Sequence, residues 1–242
     1  MILNNIINKI HERGYYEFRL KPTSLVSDLS FQQLEDIIRR NQVRHRGLFY
    51  PHIADHNYGH FIRRDNYYES EHHWGPHLDI WRFFKSGQFK QLLGMQEDRW
   101  DDHAPLFDKW DESMQKPCPE PKFLEPIMTI LQLTEFFLFA YRISIEEALP
   151  NSWEITIRCH DFQNRILKVR VNNRAGFDRI YEANTDVITL NPINATSESL
   201  SQKHDEYAIT KAMEIFDYFG WNNASIPIIL KKEQEEFYKL KF

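Results

Sequence analysis

The chain has 242 residues, a formal net charge of −5 and 42% hydrophobic residues, a balance that supplies a sizeable core and excludes wholesale disorder. A mildly acidic protein is a poor candidate for wrapping nucleic acid over its whole surface, because phosphate neutralisation drives such binding. With eight glycines and no GxxxxGKS/T or GxGxxG run, the common phosphate loops are missing, and no GxSxG marks a serine nucleophile. Cys118 and Cys159 form no CxxC pair and read as reduced thiols of a cytoplasmic protein. The stretch MILNNIINKIHERG has no basic region followed by an apolar core, so no secretory signal is expected.

Ile2, Leu3, Ile6, Ile7 and Ile10 recur at helical spacing over residues 2–12, and Gly14 stops the run. Residues 15–21 predict a strand with Tyr16, Phe18 and Leu20 on one face, ended by Pro22. Ser30 and Gln33 form a capping-box pattern. They open a helix through about Asn41 whose apolar face is Phe31, Leu34, Ile37 and Ile38. GLFYPHI predicts a short strand turning at Pro51. Residues 60–69 and 78–97 read as strands, the second a hairpin with IWRFF and QFKQLLGM joined through Ser86-Gly87. Residues 98–122 carry Pro105, Pro117, Pro119 and Pro121 and predict a long loop, too rich in Trp100, Phe107 and Trp110 for a free linker.

Residues 124–148 predict a helix apolar nearly all round, with Pro126 in its first turn. Glu125, Gln132 and Glu135 speak against a membrane span, and such a helix belongs in a core or a subunit interface. WEITIRC (153–159) and RILKVRV (165–171) alternate on either side of HDFQN and predict a second hairpin. A short strand at 187–190 follows. Ser199 and Gln202 form another capping-box pattern, opening a helix to Phe219 that Gly220 stops. Residues 231–241 predict a last, charged and exposed helix. Strands that come in hairpins, not interleaved one by one with helices, predict an α+β fold. Its hairpin-based antiparallel sheets would pack on a central apolar helix and amphipathic helices. The expected organisation is a single domain over 1–242, divisible into subdomains 1–97 and 123–242 joined by the 98–122 loop.

Histidines crowd one part of the chain: His45, His52, His56, His60, His72, His73 and His77, with Asp55, Asp65, Glu71 and Asp79 among them. Imidazole is the commonest metal ligand and carboxylates complete many sites, so His52, His56, His77 and Asp79 are candidate ligands of a divalent metal. His52, His56 and His60 would share a helix face, but Pro51, Asn57 and Gly59 disfavour a helix there. No HExxH is present, and surface or aromatic-packed histidines are the plainer account. Arg39, Arg40, Arg44 and Arg46 gather around a helix end, with Arg63 and Arg64 further on. The guanidinium fork suits phosphate, and Tyr67, Tyr68 and Trp74 could stack on bases. The same cations also complement the helix dipole. Glu97, Asp98, Asp101, Asp102 and Asp108 read as solvated loop charge.

Several phrases, YYEFRLKPTS, RHRGLFYPHI, IWRFFKSGQFKQLLGM and DYFGW, resemble an uncharacterised bacterial region. That region is found in proteins that often also carry a Schlafen-type, Alba-like DNA- and ATP-binding domain. Gly47–Ile53 and Ile80–Phe89 are the matching positions. The resemblance implies a bacterial context in defence or regulation and carries no catalytic residues; the chain has no room for the fused domain. The reading the sequence favours is a non-enzymatic bacterial binding module that contacts nucleic acid or a partner protein through an arginine and aromatic surface. The alternatives are a metal-dependent hydrolase or nuclease using His and Asp residues within 52–79, and a structural subunit of a larger assembly or oligomer. No membrane association is expected, and no cofactor beyond a divalent metal.

Overall fold

The structure is a computed structural model and describes residues 3–26, 28–45, 48–53, 59–74, 77–98, 122–169 and 177–239. Alternation along β1 (Tyr15–Pro22) sends Tyr16, Phe18 and Leu20 into the core and leaves Tyr15, Glu17 and Arg19 half-buried on the other face. This strand sits in the middle of an eight-stranded sheet. On one side it pairs with β7 (Phe89–Gly94), Leu20 opposite Phe89. On the other it pairs with β9 (Ser152–His160), Phe18 opposite Ile157. Beyond β7 the sheet continues through β6 (His77–Phe84) and β5 (Tyr67–Trp74) to β4 (Gly59–Arg63). Beyond β9 lie β11 (Val187–Thr189) and β12 (Ile193–Thr196). Every ladder in this sheet is antiparallel. The chain is α+β, as its hairpin pattern predicts.

One sheet replaces the expected pair of hairpin layers. Among the described residues, 153–159 do not pair with 165–169. Asp161 and Asn164, at φ 62° and 60°, turn the chain away after β9. The short β10 (Ile166–Leu167) then pairs in parallel with β8 (Phe123–Leu124). β1 offers β9 an alternating apolar partner over its whole length, from Tyr15 opposite His160 to Pro22 opposite Trp153. Residues 60–69 also prove not to be one strand: they hold β4, a turn at 64–66 and the start of β5. The β6–β7 hairpin is as expected, with Gly87 at φ 76° in its turn. Strands from both sides of the 98–122 segment share this sheet and one core, so 1–97 and 123–242 are not separate layers. Residues 99–121 lie outside the described residues.

The helix α3 (Pro126–Ser144) crosses the buried face of the sheet. Pro126 stands in its first turn, and the Glu125 side chain caps it by accepting the Met128 N–H at 2.7 Å. It ends at Ser144, short of the expected 148. Phe136 packs on Phe18 with ring centroids 4.4 Å apart, and Phe139 on Phe89 at 4.9 Å. α4 (Ser197–Asp217) and α5 (Ile226–Lys239) pack against α3 in turn. Among the described residues α3 is the one helix long and apolar enough to cross a membrane, and 67% of that stretch is buried inside the fold. α2 (Phe31–Asn41) carries the predicted capping box of Ser30 and Gln33. α1 (Leu3–His11) covers part of the sheet's other face, where Ile6 and Ile10 meet Leu78 and Ile80.

Two helix boundaries differ from the sequence reading. The N-cap of α4 is Thr196, whose extended backbone ends β12, and Ser199 is its reciprocal partner in place of a Ser199–Gln202 pair. The last helix starts at Ile226 and is not simply exposed. Ile226, Leu230 and Phe237 line one buried stripe at helical spacing.

Glu97 and Asp98 are buried, not solvated. Asp98 accepts the Gly14 N–H at 2.8 Å and both terminal nitrogens of Arg165 at 2.7 and 2.5 Å. Arg165 also donates to the Phe123 carbonyl at 2.7 Å. Glu97 accepts the Glu125 N–H at 3.1 Å. Burial pushes the Glu97 carboxyl up to about 7, with Asp98 adding to the rise and backbone N–H groups and Arg165 opposing it. The folded state therefore holds this proton at a pH where the unfolded chain has released it. The contribution of Glu97 to stability is fully present below about 4.5 and is lost as pH rises through 7. Glu97→Gln is expected to remove this part of the slope, on the order of 3 kcal/mol between pH 4.5 and 8. Urea unfolding of both proteins at pH 5 and pH 8 checks it; parallel pH profiles would refute the assignment.

Candidate metal centre

Two residues apart on β6, His77 and Asp79 point to the same face, the one that carries Trp81 and Phe83 into the core. His72 of β5 stands directly across from Asp79, and Gln91 of β7 across from Trp81. His52 arrives from outside the sheet, just after β3 (Leu48–Tyr50), which pairs only with β2 (Val43–His45). The Trp81 indole N–H holds this segment by donating to the His52 carbonyl at 2.5 Å. Gln42 donates to the Pro51 carbonyl at 2.7 Å.

Three donor atoms converge there. His52 Nδ1 lies 3.5 Å from Asp79 Oδ2, and His77 Nε2 lies 3.3 Å from Asp79 Oδ1. The three ligand atoms all fall within 4.8 Å of one another. Side-chain exposure is 11% for His52, 7% for His77 and 0% for Asp79. His52 Nδ1, His77 Nε2 and Asp79 Oδ1 make no well-aligned hydrogen bond, and what joins both imidazoles to Asp79 is close electrostatic contact. Orphaned buried polar atoms are costly. Two ligand atoms bound to one zinc ion at about 2.05 Å and a tetrahedral angle stand about 3.3 Å apart. The 3.3 and 3.5 Å separations, which run to different oxygens of Asp79, fit donors around an ion and equally a histidine–carboxylate pair.

Surrounding groups hold the ligands in place. Asp79 Oδ2 accepts from the Gln91 amide at 3.0 Å, and Gln91 Oε1 accepts the Tyr50 hydroxyl. The Gln96 amide lies 3.0 Å from His77 Nδ1. As placed, the amide nitrogen faces Nδ1, so ligation through Nε2 requires the Gln96 amide to turn its oxygen to the ring. The ring of His72 stacks on His52 with centroids 5.1 Å apart and lies edge-on to His77 at 5.6 Å. Burial and the neighbouring imidazole of His52 push His77 down to about 4, against the pull of Asp79. Its ring is neutral at pH 7, the state that ligates metal. Burial alone would raise Asp79. The two imidazoles more than offset that and hold it well below the usual carboxylate range.

Of the four candidate metal ligands, the structure brings His52, His77 and Asp79 together; His56 lies outside the described residues. Gln91, Gln96, Tyr50 and Trp81 were not among the sequence candidates. Five of the six candidate arginines lie among the described residues, and each has a partner in the fold. Arg39 and Arg63 meet at Glu35 at 3.0 and 3.7 Å, and Arg63 also donates to the Tyr68 hydroxyl. Arg40 pairs with Glu146 at 2.7 Å, and Arg64 with Glu69 at 3.1 Å. The Arg44 guanidinium lies 5.2 Å over the Phe49 ring, and Arg46 is outside the described residues. Tyr68 is 2% exposed and so cannot stack on a base. No family model matches the sequence, and neither a curated protein nor a solved structure matches it.

Proposed function

We propose that this protein binds one divalent transition-metal ion, zinc by preference, through His52, His77 and Asp79, and that the ion's remaining position takes water in a hydrolytic centre. The observation that carries the reading is the convergence of three buried donor atoms, none in a well-aligned hydrogen bond, at ligand-to-ligand distances. Two imidazoles and a carboxylate are the donor set of many catalytic zinc sites, which keep one position open, whereas structural sites close it with a fourth protein ligand. Zinc would lower the pKa of its bound water to about 7 and so supply hydroxide near neutral pH. Asp79 and the neutral imidazoles fix the ion, and the Tyr50–Gln91 chain fixes Asp79.

Elemental analysis of protein purified without chelator is expected to find about one zinc per chain. Asp79→Asn and His77→Gln are expected to bind zinc at least a hundredfold more weakly while retaining a cooperative unfolding transition. Metal-free wild type that binds no added zinc would overturn the proposal. His56→Ala decides the open position: retained zinc supports bound water, and lost zinc would make the site a closed structural one.

A further inference from the structure

The face of the sheet turned away from α3 carries an unusual row. Arg82 on β6, Lys90 on β7 and Arg19 on β1 stand directly opposite one another in register. Cross-strand neighbours lie about 5 Å apart, and like charges so placed destabilise a sheet. Four carboxylates stand near the row on this face: Glu69 and Glu17 engage its arginines, Glu154 lies 4.0 Å from Lys21, and Glu71 is buried opposite Ile80. Glu69 accepts from Arg82 at 2.6 Å and pairs with Arg64 at 3.1 Å. Glu17 pairs with Arg19 and faces His160 at 3.5 Å and Arg158 at 4.0 Å. Six cations, Arg64, Arg82, Lys90, Arg19, Lys21 and Arg158, thus share this face with four carboxylates, Glu69, Glu71, Glu17 and Glu154. The arginines remain open to solvent, with side-chain exposures of 33%, 33%, 38% and 49% for Arg64, Arg82, Arg19 and Arg158. Burial, Arg19 and Arg82 together lower the Lys90 ammonium, with Glu17 opposing them. An anion placed on the row would reverse that strain.

Aromatic rings share this face. Arg82 lies 5.2 Å over Tyr67, Lys90 5.7 Å over Phe84, and the Tyr67 and Phe84 rings are 5.0 Å apart. We infer that this face binds single-stranded nucleic acid, with phosphates along Arg82, Lys90 and Arg19 and bases against Tyr67 and Phe84. Cations alone would serve any polyanion; a π-face beside a cationic row suits a strand whose bases are free to stack. The excess of positive charge is local, since the chain as a whole carries −5. The surface lies across the sheet from the metal centre and is independent of it.

Fluorescence anisotropy with labelled oligo(U) and oligo(dT) of about 15 nucleotides tests this. Wild type is expected to bind, with log affinity falling against log salt at a slope of about −2, as three neutralised phosphates require. Lys90→Glu is expected to weaken binding at least tenfold while its urea midpoint stays level or rises, because the like-charge contacts go. The inference fails if wild type ignores both oligonucleotides at low salt, or if Lys90→Glu binds them unchanged. It also fails if wild type takes up polyglutamate or anionic vesicles in their place.

Discussion

Arg165→Met is expected to lower the unfolding free energy by about 3–5 kcal/mol, the cost of stranding a buried charge. Arg165 has a side-chain exposure of 0%, and Asp98, its bidentate partner, 4%. Without the guanidinium, Asp98 keeps only the Gly14 N–H and the nearby charge of Arg13 to offset its burial. The same arginine ties Phe123 and Asp161 together through their carbonyls, so β7, β8 and the turn after β9 meet at one side chain. Gly14 is a glycine for the same reason: a Cβ there would stand 2.3 Å from Arg165 Nη2. Adding Asp98→Asn to Arg165→Met is expected to recover part of the loss, because the stranded charge goes too. Urea denaturation of both variants measures it, and a loss below about 1 kcal/mol for Arg165→Met would show the pair to be incidental.

Phe136→Ala is expected to cost about 3–5 kcal/mol, transfer and cavity contributions together. Phe136 is fully buried between Phe18 of the central strand and Phe137 of its own helix. Its neighbours belong to a sheet and a helix layer that cannot both move in to fill the gap. The readout is again the urea midpoint, with hydrogen exchange along β1 as a second measure. Protection of β1 amides that survives the substitution would mean α3 is not what anchors the strand.

Elements with a local signature could be read from the sequence. Ser30 and Gln33 announced α2, the alternation of Tyr16, Phe18 and Leu20 announced β1, and Gly87 marked a turn that needs positive φ. Partnership was legible where a tight Gly87 turn joins β6 to β7, and not elsewhere. WEITIRC and RILKVRV looked like a hairpin because they are close in sequence, yet a strand's partner is fixed by burial across the whole sheet, and β1 buried more. Charge at Glu97 and Asp98 misled for the same reason, since the partner that makes their burial tolerable, Arg165, lies far along the chain. His77 and Asp79 could be paired through the two-residue period of a strand. His52 could be nominated as a histidine but not placed, because the contact that seats it runs from Trp81 to a main-chain carbonyl. Gln91, Gln96 and Tyr50 carry no sequence signal of their own role.

The central place of β1 has a consequence for how the chain is made. Pro22 meets Trp153 and Tyr15 meets His160, so this early strand must wait for a partner more than a hundred residues downstream. At ribosomal elongation rates that wait is about ten seconds. Through it the nascent chain carries an unmet row of amides and carbonyls with Phe18 and Leu20 beside it, a template for wrong pairings. Until the second half emerges, that edge of the strand is open to any chain that offers a matching edge.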